Sequence, residues 1–132
     1  MSQSIFKAYD IRGQYPQELN EEIAFKIAVA MGKHFGPRAE IVVGHDARLS
    51  SPSLYKAVLR GVKSQRSNVK CIEVGMITTP MLYFLVNKLK ADGGIMVTAS
   101  HNPKEYNGLK VVGKNARPVS GKEVYELFKT LH

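Results

Sequence analysis

Apolar positions along this chain recur in two periods, helical and extended, and the chain switches between them repeatedly from residue 20 to the end. Ile23, Ile27, Ala30 and Met31 line one helical face behind Asn20, with Glu21 and Glu22 in the first turn and Gly36-Pro37 as the stop. Glu40 to Gly44 is a short apolar run that reads as a buried strand. Ser51 ahead of Pro52 opens a second helix, where Leu54, Val58, Gly61 and Val62 face inward and Lys56, Arg60 and Lys63 face out. The strand around Cys71, from Val69 to Val74, follows. Thr79-Pro80 repeats the cap-then-proline signal, and Leu82, Leu85, Val86 and Leu89 make the buried stripe of a third helix. Gly93 to Val97 suits a strand covered on both faces, and Gly108 to Val112 reads as a fourth strand. Val124, Leu127, Phe128 and Leu131 stand at i, i+3, i+4 and i+7 of a final helix that runs to His132. This alternation predicts an α/β fold: a three-layer α/β/α domain with a mainly parallel, mixed four-stranded sheet and helices on both faces.

At 132 residues the chain has the size of a single domain, 1–132, with no internal repeat, linker or low-complexity tract. A helix reaching the last residue predicts that the chain stops at a domain boundary. No apolar stretch has the length of a bilayer span, and Met1 to Ser4 lead into no signal-peptide core, so a soluble cytoplasmic protein without membrane partners is expected. Cys71 is the sole cysteine, which rules out an internal disulfide and points to packing. His34, His45, His101 and His132 do not combine with it in the spacing of a structural zinc site.

Charge narrows the partner. Nineteen Lys and Arg against eleven Asp and Glu leave +8, which favours an anion. Lys56, Arg60 and Lys63, with Arg66 and Lys70 nearby, form a basic stripe. No aromatic residues interleave with it, and no helix-turn-helix, zinc-finger or RRM signature occurs, which argues against nucleic acid. Sugar phosphates are the better match, since each phosphate brings about −1.5 to −2 charges and strong acceptor oxygens. A Gly-x-Ser-x-Gly elbow, a phosphate loop ending in Gly-Lys-Ser/Thr and a dinucleotide fingerprint are all missing, which sets aside hydrolase, NTPase and dehydrogenase chemistry.

The segment richest in chemistry is Thr98-Ala99-Ser100-His101-Asn102-Pro103, which leaves the Gly93–Val97 strand at its carboxyl end, the edge where open α/β sheets collect ligands. Alone it would pass for a polar turn or a helix cap. With Tyr106-Asn107-Gly108-Leu109-Lys110 behind it, it resembles the active-serine loop of the α-D-phosphohexomutases, the phosphoglucomutase and phosphomannomutase superfamily. Three further segments match that family in order: Phe6-Lys7-Ala8-Tyr9-Asp10-Ile11-Arg12-Gly13, Gly44-His45-Asp46-Ala47-Arg48-Leu49-Ser50-Ser51-Pro52, and Gly75-Met76-Ile77-Thr78-Thr79-Pro80. The opening motif and Ala116-Arg117-Pro118-Val119-Ser120-Gly121 are closer to phosphomannomutase/phosphoglucomutase enzymes than to phosphoglucosamine mutases. His45 stands where arginine is common and Ala99 where glycine is common.

The resemblance implies domain I, the phosphoserine domain, with the remaining three domains absent from this chain and an isolated domain that is inactive. It implies an isomerase that interconverts hexose 1-phosphate and hexose 6-phosphate through a sugar 1,6-bisphosphate. Ser100 would be the phosphoryl carrier and, through its phosphate, one ligand of a Mg²⁺ shared with the second domain. Lys110 would bind the transferring phosphate or assist proton transfer, and otherwise is a solvated strand lysine. Arg12 would clamp phosphate, with an ion pair to Asp10 or Asp46 as the other reading. His101, adjacent to Ser100, would orient the loop or touch phosphate. Tyr9 and Asn102 would support the phosphate site, whereas Asp46 and Arg48 would hold loops together. The reading from a different class is a stand-alone basic module that binds anions or nucleic acid without catalysis.

Overall fold

The first helix, α1 (Glu21–Phe35), starts where its cap predicts: Asn20 Oδ1 accepts from the Ile23 N–H at 3.1 Å, and the Gly36 N–H closes the far end on Gly32 O at 3.2 Å. The computed structural model describes residues 3–64 and 68–131, so Arg66 of the basic stripe and His132 lie outside the described residues. Helix α2 (Ser51–Lys63) begins one residue earlier than the Ser51-Pro52 signal suggests. Its N-cap is Ser50, which makes no side-chain cap bond, because Pro52 needs no partner in the first turn and Ser51 turns its hydroxyl to Asp46 Oδ1 at 2.5 Å. In α3 (Thr79–Lys88) the cap is likewise Thr78, accepting from Met81 N–H at 3.3 Å, with Pro80 inside the first turn. Helix α4 (Gly121–Phe128) opens on a reciprocal capping box between Ser120 and Glu123 and stops at Phe128. Leu131 is thus outside the helix, whose late carbonyl at Leu127 is taken by the Thr130 hydroxyl at 2.7 Å.

The sheet has six strands, two more than the apolar pattern predicts: β1 (Ile11–Gln14), β2 (Glu40–His45), β3 (Lys70–Met76), β4 (Gly93–Val97), β5 (Tyr106–Val112) and β6 (Pro118–Val119). Their order is β1-β5-β4-β2-β3, with β6 on β5. The β2–β3 and β2–β4 pairs are parallel; β4–β5, β1–β5 and β5–β6 are antiparallel. The two unforeseen strands are short and carry Arg, Gly or Pro, so no apolar period marks them, and register against β5 makes them strands. The mixed three-layer α/β class holds, but the sheet is not mainly parallel in its pairings: three of the five among the described residues are antiparallel, because β1, β4 and β6 all run against β5.

Alternation along the strands builds the two faces. Ile41, Val43, Ile95, Val97, Leu109 and Val111 join α1, α2 and α4 in the larger core. Val42, Met96 and Val112 pack with Leu82 and Val86 of α3 in the smaller one. Gly61 lets α2 close on α1, since a Cβ there would lie 2.6 Å from Ala28 Cβ and against the Phe25 carbonyl. Cys71 is half-buried in β3, and burial pushes its thiol up, partly offset by the Lys63 charge. Iodoacetamide at neutral pH is therefore expected to alkylate Cys71 in the folded chain about tenfold more slowly than in denaturant, followed by intact mass; equal rates would show an open thiol.

Chain direction fixes where a site can form. From β2 the chain crosses through α2 to β3 on one side, then returns through α3 on the opposite face to β4 on the other side of β2. The carboxyl ends of β2 and β4 therefore flank the switch point of the topology, where a crevice opens.

Candidate functional site

Asp46 leaves β2 and Thr98 leaves β4 side by side at that switch point, tied by the Asp46 N–H donating to Val97 O at 3.0 Å. The chain after β4 cannot continue into a helix as after β2, because β5 runs back antiparallel beside it. It folds instead into a tight loop, with Asn102 N–H on Ala99 O (3.1 Å) and Tyr106 N–H on Pro103 O (3.0 Å). Ser100 sits exposed in this loop at φ +57°, left-handed backbone that a serine adopts only when its surroundings enforce it. Its N–H donates to Thr98 Oγ1 at 3.0 Å, it caps no helix, and its hydroxyl makes no hydrogen bond to a described residue. His101 is exposed next to it. Both line a 550 Å³ crevice with Asp46, Thr98 and Thr79.

A second cluster forms around Asp10, a carboxylate only 5% exposed just before β1. Arg12 Nε lies 3.7 Å from its Oδ1 and Lys110 Nζ 3.5 Å from its Oδ2. Register explains the meeting: Arg12 pairs with Gly108 across β1–β5, so Lys110, two residues on, is its diagonal neighbour on the same face. Two cations on one buried carboxylate leave an excess of positive charge. Burial pushes the Tyr83 phenol up, and the Asp10 charge adds to that shift, so the field of Asp10 reaches α3. Arg12 also lines a 270 Å³ pocket with Lys7, Tyr106 and Asn102, whose Nδ2 is held by Ala99 O at 2.7 Å. Tyr9 is 78% exposed beside this cluster in sequence.

The structure thus brings Ser100 and His101 to one crevice, Arg12 and Asn102 to a pocket, and Arg12 and Lys110 to Asp10. Of the two partners considered for Arg12, Asp10 is the one it meets. The bond of Asp10 to Lys110 and the presence of Lys7 escaped the sequence; the signal for Asp10 was its place two residues before Arg12 in the opening motif. Arg48 does hold the serine loop, donating to four of its carbonyls.

Asp46, which shares the crevice with Ser100, already accepts from Ser51 Oγ, Thr98 Oγ1 and the Arg48 N–H, and is ion-paired with the Arg48 guanidinium. Among the described residues no group of three His, Cys, Asp or Glu could hold a metal ion. Two of the three basic residues on α2 are engaged: Arg60 stands 6.0 Å over the Phe25 ring and Lys63 pairs with Glu73 at 2.5 Å. Among the described residues no helix is long and apolar enough to cross a membrane.

Comparison with known proteins follows the same lines. A family model described as phosphoglucomutase/phosphomannomutase, alpha/beta/alpha domain I, matches residues 3–132. The chain is 50% identical over 116 residues to a phosphomannomutase of Klebsiella pneumoniae, covering 88% of this chain and 72% of that one. It is 48% identical over 120 residues to a protein of Xanthomonas campestris pv. campestris named phosphohexose mutases, covering 91% of this chain and 26% of that one. A crystal structure of a phosphoglucomutase/phosphomannomutase family protein from Burkholderia thailandensis superposes with a TM-score of 0.84 at 37% identity, over 98% of this chain and 30% of that one. The chain therefore spans about a quarter of the length of most of the curated relatives it matches, 26% in one and 25% in another.

Proposed function

Because the chain belongs to the phosphoglucomutase/phosphomannomutase family, as its domain I, we propose that Ser100 carries the phosphoryl group of a hexose phosphate mutase. The observation that supports this reading most is the exposed Ser100 hydroxyl, without a hydrogen bond among the described residues, at the switch point of the sheet. In the forward half, the bond from phosphorus to Ser100 Oγ breaks as a new one forms to a sugar hydroxyl, which gives up its proton to a base. In the return half, the other phosphate of the resulting 1,6-bisphosphate passes to Ser100 Oγ. The net change moves phosphate between C1 and C6 of glucose or mannose phosphate.

Phosphoryl transfer depends on positioning and charge neutralisation more than on covalent chemistry from the protein. Lys110 and Arg12 supply positive charge, and Asp10 fixes both heads so that little ordering remains to be done on binding. Arg12 offers a planar fork suited to two phosphate oxygens, while Lys110 offers a point charge and an exchangeable proton. His101 in the loop and Tyr9 in the opening motif are both exposed, which suits a role in meeting substrate. Asn102 serves by closing the turn. A Mg²⁺ on the Ser100 phosphate would take its other oxygen ligands from outside this chain, since Asp46 has none to spare. On this reading the complete enzyme works in the cytoplasm with further domains, and the 132-residue chain alone turns over no substrate.

The test is intact mass with phosphosite mapping after incubation with glucose 1,6-bisphosphate and Mg²⁺, on this chain and on a longer one carrying the domains its relatives have. Phosphate on Ser100 is expected. Interconversion of hexose phosphates by the longer chain with Ser100 never phosphorylated would overturn the reading.

A further inference from the structure

We infer that Arg48 and Asp46 are positioning residues that lock the peptide of Ser100 in its left-handed conformation through a closed circuit of three hydrogen bonds and one ion pair, an inference that rests on the phosphoserine reading for its catalytic consequence. The circuit can be walked atom by atom. The Ser100 N–H donates to Thr98 Oγ1 at 3.0 Å, and the Thr98 hydroxyl donates to Asp46 Oδ2 at 2.8 Å. That same oxygen faces Arg48 Nε at 3.4 Å, and Arg48 Nη2 donates to Ser100 O at 3.0 Å, returning to the starting residue. Both backbone polar groups of Ser100 are therefore held by one network, while its hydroxyl is left out of it.

The remaining donors of Arg48 close the argument. Nη2 also reaches Asn102 O at 2.6 Å, and Nη1 reaches Pro103 O at 2.7 Å and Tyr106 O at 3.0 Å. The four N–H groups of Nη1 and Nη2 are thus spent on carbonyls of the chain, and Nε is ion-paired with Asp46. Asp46 is saturated in the same way, its Oδ1 accepting from the Arg48 N–H at 3.0 Å and from Ser51 Oγ at 2.5 Å. The β2–α2 turn is thus stapled first, and its arginine then grips four carbonyls of the serine loop. A lysine would keep the charge, yet its three donors could not span those acceptors and Asp46 together. Left-handed backbone at a residue with a Cβ is held only where the surroundings over-determine it. The circuit supplies that constraint before any phosphate arrives.

Amide hydrogen exchange and phosphate uptake on Ser100 are measured for the unsubstituted chain, Arg48→Lys and Thr98→Val. The valine variant breaks the circuit without touching Arg48, so the comparison survives if Arg48→Lys fails to fold. Exchange at Ser100 is expected to quicken about tenfold in both variants, and at Asn102 in Arg48→Lys, while Ile95 and Val111 keep their protection. Uptake by Ser100 should slow by about tenfold or more with an unchanged bisphosphate concentration at half-maximal rate, because neither residue contacts substrate. Equal acceleration at Ser100 and Val111 would reduce Arg48 to a global stabiliser and overturn the inference, as would unaltered exchange at Ser100. If the unsubstituted 132-residue chain takes up no phosphate, uptake is measured on the longer chain carrying the domains its relatives have; failure there counts against the phosphoserine reading alone, and the exchange rates still decide for or against the latch.

Discussion

Ser100→Ala is expected to end phosphate uptake completely while leaving the fold within about 0.5 kcal/mol of the parent. The loss follows from chemistry, since the variant has no oxygen at the position proposed to form the bond to phosphorus. Retained stability follows from the structure: the Ser100 hydroxyl bonds to no described residue, and the side chain is exposed, so its removal strands no buried partner. Ser100→Gly should lose uptake equally and yet melt higher, by about 1 kcal/mol, because glycine relieves the cost of a Cβ at φ +57°. Threonine would restore a hydroxyl but adds a branched Cβ in that same conformation, a combination that backbones rarely tolerate. Intact mass and thermal melting on the three variants check these expectations together. Uptake that survives in Ser100→Ala would place the acceptor on another residue.

The second large effect is on stability. Gly108→Ala would drive its Cβ into the Ile11 carbonyl, to within 2.9 Å of Thr98 O and 3.0 Å of Arg12 Cβ. Two of these are backbone atoms, on β1 and at the end of β4, which cannot swing aside as a side-chain tip can. A loss of about 3 kcal/mol or more is expected, seen as a lower urea midpoint. Gly113→Ala is the control: the nearest atom to its Cβ, Arg117 O, is 3.9 Å away, so little change is expected. Because Arg12 faces Gly108 across the pair, displacement of β1 in Gly108→Ala should also pull Arg12 and Asp10 away from Lys110, which NMR of those residues would report. A midpoint equal to that of the control would mean that β1 gives way freely.

The helices are legible in the sequence through their apolar stripes; the expectation misses the starts of α2 and α3 by one residue at prolines, and overruns the end of α4, which stops at Phe128. Pro52 and Pro80 sit within the first turn, so the cap lies one step further back than a Ser-Pro or Thr-Pro pair suggests. Strands β2 and β4 were visible as apolar runs because both faces are covered. Strand β1 was invisible because Ile11-Arg12-Gly13-Gln14 owes its extension to β5, a partner nearly a hundred positions along, and no local period records that. The serine loop is legible through its resemblance to a family, and Arg48 as a residue that holds loops together; that one guanidinium meets four carbonyls is visible only in the coordinates. The sequence offers Asp10 and Asp46 alike as ion-pair partners for Arg12, while the contact of Asp10 with Lys110 depends on a diagonal register that sequence does not encode in one place.

The latch on the serine loop joins residues 52 to 58 positions apart, and the Asp10–Lys110 pair joins residues 100 apart. Contacts of such separation form late, since the entropy of closing the intervening chain must be met before they contribute. A folding chain can therefore assemble the local α1–α2 layer while Ser100 still samples ordinary backbone and Lys110 still lacks its carboxylate. The end of the domain proposed to handle phosphate comes together with the final docking of β1 and the β2–α2 turn, so a nascent or misassembled copy should present Ser100 without the left-handed backbone that the latch holds.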